Sequence, residues 1–317
     1  MRPQETKITE KTQKVLQQVR QAIVGKDQTL VWVMAAILSG GHILLEDIPG
    51  VGKTTMAVAF SKVLGLRYSR VQFTPDVLPS DVTGFTVPDP ATGKMNYKQG
   101  AVICNLFLAD ELNRATSRTQ SALLEAMEEQ QVTVDGVTHK LPQPFVVIAT
   151  QNPTGAAGTQ LLPDSQMDRF ALRLSLGYPN PADEATMVMN RMKENPLTRL
   201  ETLLTPEELV QLQQDVAATH IHESVVQYIV RLVDATRNHK HILQGASPRA
   251  TLCIASMSRA IAQLSGRDYV IPQDVRSVFL RCIPHRLLLT AQATSSNITA
   301  AQILTEIADS IPAPQAR

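Results

Sequence analysis

Residues 44–54 read LLEDIPGVGKT, after the Gly40-Gly41 pair and a short apolar run. The last five residues hold what a phosphate-binding loop needs. Gly50 and Gly52 stand where the backbone must pass close to an anion, Lys53 can reach the β and γ charges, and the Thr54 hydroxyl suits Mg²⁺. Pro49, Val51 and Thr55 complete the candidate cradle. Residues 42–46, HILLE, predict a strand leading in, and residues 53–64 predict a helix leading out. One position departs from the pattern. A glycine is expected five residues before Gly52, and Asp47 stands there. That position starts the turn, and aspartate is one of the few non-glycine residues that visits the left-handed region. The loop is therefore expected to tolerate Asp47.

A working site needs partners at predictable places. Phe107-Leu108-Ala109-Asp110-Glu111 puts two carboxylates after an apolar strand. Asp110 is suited to hold Mg²⁺ through its water shell, and Glu111 to polarise an attacking water. Asn152 ends another apolar run, where it can orient water near the γ-phosphate. Before Pro153 it also fits an ordinary turn. Arg169 and Arg249, in Asp168-Arg169-Phe170 and Ser247-Pro248-Arg249, are candidates to stabilise charge on a transferred phosphoryl group. A lone arginine is more often a surface ion pair. Arg114 and Arg118 flank the acid pair and are further candidates. The pairs His220/His222 and His239/His241 lack an evident third metal ligand, which favours solvated or capping histidines.

Along the chain, residues 8–24 and 28–38 have helical apolar spacing, with Gly25 ending the first helix. Strands are expected at 42–46, 68–73, 105–109 and 145–150, with 170–176 closing the sheet. The continuous apolar runs suit parallel strands covered on both faces. Alternation with helices argues an α/β sheet with crossovers. Residues 75–100, with PDPATGK at 88–94, read as a hairpin inserted on a helix. Residues 131–141 alternate about Asp135-Gly136, a strong hairpin signal. From 181 on the pattern is helical, with helices at 206, 225–236, 248–264 and 272–281, the first opened by Thr205-Pro206. The expected division is an α/β nucleotide-binding domain over 1–180 and a smaller all-helical domain over 181–317, with a frayed tail.

Lys plus Arg number 30 and Asp plus Glu 29 in 317 residues, a formal charge of +1. That balance gives no general attraction to nucleic acid or anionic lipid. Cys104, Cys253 and Cys282 form no CxxC pair, which fits buried thiols in a reducing compartment. The polar N-terminus lacks the apolar segment of a secretory leader, and no run approaches the roughly 20 apolar residues of a membrane span. A cytoplasmic protein is expected.

Taken together, GVGKT at 50–54, LFLADELNRA at 106–115, TQSALLEAMEE at 119–129, IATQNP at 148–153, LPDSQMDRF at 162–170, GASPRA at 245–250 and ILTEIADSIP at 303–312 resemble the MoxR family of AAA+ ATPases. The resemblance runs from about Ile8 to Pro312. It implies a P-loop core with a helical lid, ATP hydrolysis with Mg²⁺, and assembly into rings, usually hexamers, with ATP at subunit interfaces. Lys53, Thr54, Asp110 and Glu111 would be the Walker residues and Asn152 the first sensor. Arg169 would be the finger reaching a neighbour's ATP, and Arg249 the second sensor, acting in cis or in trans. Residues 75–100 resemble the helix-2 insert, 131–141 the hairpin before sensor 1, and Ile23-Val24-Gly25-Lys26 the adenine-side loop. The family also implies chaperone-like remodelling of client complexes, including metal or cofactor insertion, with a von Willebrand factor A domain partner as a separate protein.

Three other functions compete. A nucleic-acid motor needs basic pore hairpins. Here the hairpin offers His139 and Lys140 against Asp135, and the insert Lys94 and Lys98 against Asp81 and Asp89, which favours a protein client. A chelatase-like subunit shares the fold and partner type. A nucleotide-gated scaffold that turns over little ATP is disfavoured by Glu111, Asn152 and Arg169.

Overall fold

The computed structural model describes residues 7–91, 93–152 and 162–315. Residues 1–6 of the polar N-terminus, Pro153 of IATQNP and the last two residues of the tail lie outside these. Five parallel strands form the sheet: β1 (His42–Glu46), β2 (Tyr68–Gln72), β5 (Leu106–Asp110), β8 (Val146–Gln151) and β9 (Phe170–Leu174), in the order β2-β5-β8-β1-β9. Two antiparallel hairpins interrupt the series, β3 (Gly84–Pro88) with β4 (Met95–Gln99), and β6 (Gln131–Val134) with β7 (Val137–Lys140). The helices of this part are α1 (Lys7–Arg20), α2 (Asp27–Leu38), α3 (Lys53–Val63), α4 (Pro79–Thr83), α5 (Ser117–Glu129) and α6 (Asp164–Met167).

The apolar runs of β1, β5 and β8 are buried on both faces because alternate residues serve two separate cores. Ile43, Leu45, Leu106, Leu108, Val146 and Ile148 join a cluster with α1, α2 and α3. Leu44, Phe107, Ala109, Val147 and Ala149 join a second cluster with Leu123, Leu124 and Met127 of α5. Pairing in register puts Gln72 beside Asp110 and Glu46 beside Gln151. The carboxyl ends of the strands thus share one crest, where open α/β sheets place their ligands.

The remaining helices are α7 (Pro181–Lys193), α8 (Pro206–Ala217), α9 (Glu223–Arg237), α10 (Pro248–Leu264), α11 (Pro272–Cys282), α12 (Ala291–Ser295) and α13 (Ala300–Ser310). Thr205 opens α8 with a capping box: its hydroxyl accepts from Glu208 N–H and the Glu208 carboxylate accepts from Thr205 N–H. Residues of α8–α11 and α13 belong to the same cluster as α1–α3.

Several sequence expectations need adjustment. The first helix stops at Arg20, and residues 21–23 form a turn in which Ala22 and Ile23 N–H both donate to Val19 O. The apolar spacing persists past the helix because a turn packs Ile23 inward just as a helix would. Strands β5 and β8 each run one residue later than expected, through Asp110 and Gln151, and β9 stops at Leu174, two residues short of the expected end. A small antiparallel pair, β10 (Ile242–Gln244) with β11 (Leu288–Leu289), joins two loops of the helical region. It is too short to leave a period-2 signature.

Both hairpins form as expected. Asp135 (φ 48°) and Gly136 (φ 79°) make the tight turn that twists with its strands. The two hairpins dock together: Tyr97 stacks on His139 with ring centroids 3.7 Å apart, and the Thr86 hydroxyl donates to Asp135. Among the described residues no helix is long and apolar enough to cross a membrane.

Candidate functional site

The loop between β1 and α3 lines a cleft of about 350 Å³ together with the ends of β2, β5 and β8. Gly50 has φ 89° and Gly52, at the start of α3, has φ 97°. A Cβ built at either would meet nothing within 4 Å. The loop backbone therefore faces open space, and the first turn of α3 presents its unpaired N–H groups there. Lys53 is 8% exposed. Its ammonium donates to Asp47 O at 2.6 Å and Ile48 O at 3.3 Å. Burial pushes its pKa down, and the negative charges of Asp47, Asp110 and Glu111 pull it back. Pro49, Thr54 and Thr55 also line the cleft.

The two carboxylates face Lys53 across the cleft in a fixed network. The Thr150 hydroxyl donates to Asp110 Oδ1 at 2.6 Å and accepts Glu111 N–H at 2.8 Å. Asn152 Nδ2 donates to Glu111 Oε1 at 3.2 Å, and Arg114 Nη1 donates to Glu111 Oε2 at 2.8 Å. Glu111 has φ 57°, a left-handed conformation uncommon outside glycine, asparagine and aspartate. Such strain is held by the surroundings, here by the Thr150 bond and the two side-chain partners. Arg70 Nη2 reaches Asp110 Oδ2 at 2.7 Å. The Thr54 hydroxyl and the Asp110 carboxylate supply the hard oxygens that suit Mg²⁺. The open glycine turn with a buried lysine suits phosphate. The residues present fit a nucleotide with its metal.

Sequence reasoning missed Arg70, Gln72 and Thr150, all at this crest. A hydroxyl two residues before Asn152 was a visible signal. Arg70 could not be placed without the strand order, which sets β2 against β5.

The expected reason for Asp47 is overturned. Asp47 is not among the residues with positive φ. It is 5% exposed, and its carboxylate accepts from Ser175 Oγ at 2.7 Å, Leu176 N–H at 2.6 Å and Gly177 N–H at 3.0 Å. The position takes aspartate because the chain leaving β9 needs an acceptor there, not because the turn is left-handed.

Not every expected residue lines the cleft. Val51 packs on the core. Val24 and Gly25 lie beside the segment after β9: Lys26 Nζ donates to Tyr178 O at 2.9 Å, and a Cβ on Gly25 would collide with the Asp183 carboxylate. Arg169 and Arg249 lie elsewhere, side by side on one carboxylate. Arg169 holds Glu128 Oε2 through Nε at 2.9 Å and Nη2 at 2.8 Å, and its Nη1 donates to Ser165 O at 2.8 Å. Arg249 Nη2 donates to Glu128 Oε1. Both arginines line a second cleft of about 460 Å³ between α6 and the start of α10. There the Ser247 hydroxyl donates to Asp168 at 2.7 Å, and the buried Arg286 Nη2 donates to Phe170 O at 2.8 Å. Arg118 is exposed on α5. His222 caps α9, its ring nitrogen accepting from Ser224 N–H at 3.2 Å. Among the described residues, no group of three or more His, Cys, Asp or Glu is placed to hold a metal.

With this geometry in view, comparison with known proteins is specific. Residues 42–172 match the sequence model of the ATPase family associated with various cellular activities, and residues 234–307 match that of the AAA lid domain. The chain is 42% identical over 304 residues to uncharacterized protein YeaC of Bacillus subtilis, covering 96% of this chain and 95% of that one. It is 39% identical over 307 residues to Chaperone MoxR1 of Mycobacterium tuberculosis, covering 94% and 81%. The crystal structure of a candidate ATPase from Cytophaga hutchinsonii superposes with a TM-score of 0.91 at 34% identity, over 97% of this chain and 96% of that one.

Proposed function

Because this chain belongs to the MoxR family of AAA+ ATPases and hydrolyses ATP, we propose that each subunit binds ATP in the Gly50–Thr54 cleft and that a neighbouring subunit completes the site. Lys53 leaves the carbonyls of Asp47 and Ile48 and turns to the β and γ phosphate oxygens. Thr54 and Asp110 would hold Mg²⁺, which would supply positive charge against the phosphates. Glu111 accepts a proton from the attacking water, and Asn152 fixes the Glu111 carboxylate so that its free lone pairs point at that water. Arg169 and Arg249 serve the next subunit's ATP. In this reading the ring is a hexamer and residues 1–180 and 181–317 are its two domains. The Val24–Gly25 turn borders the adenine side.

The observation that carries this proposal is a separation. Lys53, Asp110, Glu111 and Asn152 share one cleft, whereas Arg169 and Arg249 line another and both bond the Glu128 carboxylate. A chain that holds both halves of the machinery in different clefts needs a second copy to unite them. The relative named a chaperone supports a protein client. We place the work of hydrolysis in remodelling or maturing protein complexes in the cytoplasm, with a separate von Willebrand factor A domain protein as adaptor.

The test is ATPase rate against protein concentration, with a mixture of Lys53→Ala and Arg169→Ala. A rate that climbs with assembly and partly returns in the mixture supports shared sites. A concentration-independent rate, with no return, sinks them.

A further inference from the structure

We propose that Asp47 transmits occupancy of the phosphate loop to the segment that leads into the helical domain. The inference rests on the nucleotide reading of the cleft and goes beyond it. Asp47 is tied in three directions. Its N–H donates to Gln151 O at 3.3 Å, beside Asn152. Its carbonyl accepts the Lys53 ammonium at 2.6 Å. Its carboxylate takes three donors from residues 175–177, at 2.6 to 3.0 Å. One residue therefore touches the phosphate-reading lysine with its main chain and the exit from β9 with its side chain.

The carboxylate end is the stiff one. It is buried, and hydrogen bonds to an ionised acceptor are about twice as strong as neutral ones. Losing any of its donors would leave a polar group unpaired in a low-dielectric interior. The Lys53 end is the changeable one. When the ammonium turns to a phosphate oxygen, it releases the Asp47 and Ile48 carbonyls, and the loop shifts at Asp47. The shift passes to Leu176 and Gly177 through bonds that cost too much to break.

The chain beyond Gly177 is built to respond. Gly177 has φ 60° with open space where a Cβ would sit, so it serves as a joint. Tyr178 O takes Lys26, and Asn180 caps α7 through Asp183 N–H at 2.8 Å. Helix α7 has no buried residue to anchor it. A glycine at position 47 would leave the open turn and the α3 amides in place but cut the tie.

Hydrogen–deuterium exchange of the full chain, with and without AMP-PNP, tests this. In the wild type AMP-PNP should slow exchange in residues 47–54 and change it across α7. In Asp47→Gly the AMP-PNP affinity should stay within about threefold and loop protection should persist, while the α7 response disappears. Ser175→Ala removes one of the three donors from the opposite side and should reduce the α7 response without touching the loop. An α7 response that survives in Asp47→Gly overturns the coupling alone. Loss of AMP-PNP binding in Asp47→Gly also overturns it, since Asp47 would then build the loop and not report on it. A wild type that binds no AMP-PNP overturns the nucleotide reading itself.

Discussion

The guanidinium of Arg169 holds one oxygen of the Glu128 carboxylate with two nitrogens, Nε at 2.9 Å and Nη2 at 2.8 Å. The other oxygen takes Arg249. Two cations held by one anion should act as a unit. Arg169→Ala is expected to lower turnover by about 10³-fold or more while leaving nucleotide affinity unchanged. The double variant with Arg249→Ala should lose less than the product of the two single losses, because each depends on the other for its position. Steady-state ATPase of the four proteins in the cycle decides this. Multiplicative losses would mean that the arginines work separately.

Thr150 ties the two acids together, donating to Asp110 and accepting from the strained Glu111 backbone. Thr150→Val keeps the shape and removes both bonds. We expect kcat to fall about 10- to 100-fold, in line with an orphaned donor costing about 1–3 kcal/mol. Nucleotide affinity should hold, and Thr150→Ser should restore the rate. A loss in affinity with kcat intact would assign Thr150 to binding alone.

Two buried histidines set an acid limit on stability. His42 accepts Val147 N–H at 3.0 Å on Nδ1 and lies 3.2 Å from Met127 O through Nε2, so a proton on Nδ1 would face a donor. Burial lowers its pKa to about 4. His285 is lowered to about 3 by burial and by Arg286 beside it. Both are neutral when folded and protonate near 6.5 when unfolded. The unfolded chain therefore binds more protons between the two values, and stability rises with pH across that window. Acidification below 6.5 should cost about 1.4 kcal/mol per pH unit for each histidine, levelling off below its folded pKa. Urea midpoints at pH 7 and pH 5 measure this, and His42→Asn should flatten the slope. An unchanged slope in that variant would remove His42 from the account.

The helical part has its own fixed point. Arg267 grips Asp274 with Nη1 at 2.7 Å and Nη2 at 2.6 Å, and Asp274 also accepts Ile271 N–H at the start of α11. Asp274 is 4% exposed. Asp274→Ala strands a half-buried guanidinium and uncaps a helix, and should destabilise the fold by about 3–5 kcal/mol. Chemical denaturation followed by circular dichroism would read it. A loss under 1 kcal/mol would mean water replaces the carboxylate.

What could be read from sequence was local. The strand, the glycine turn and the helix after it are contiguous, so β1, Gly50–Thr54 and α3 are legible from one stretch of the chain. The Asp135-Gly136 turn is legible for the same reason. Asp47 was misread because its partners lie 128 to 130 positions away, and no local rule carries that distance. Arg70 was invisible until the sheet order put β2 next to β5. Glu128 lies 41 positions before Arg169 and 121 before Arg249, and only the fold brings the two arginines onto it. Local propensity writes the loop, and long-range pairing writes its partners.

Helix α5 spans 13 residues, about 20 Å, from just beyond the acid pair to Glu128. A chain built this way has a head and a tail. Under the proposed sharing, two copies related by a twofold axis could lend arginines to each other, since in such a contact residue i meets j and j meets i, and the pair would close on itself with two complete sites. A heterologous contact instead uses the loop face and the arginine face of each copy against different neighbours, and such a contact either closes after a fixed number of steps or continues as a filament. A defect in one copy would then fall on two reaction centres, its own and the one it faces.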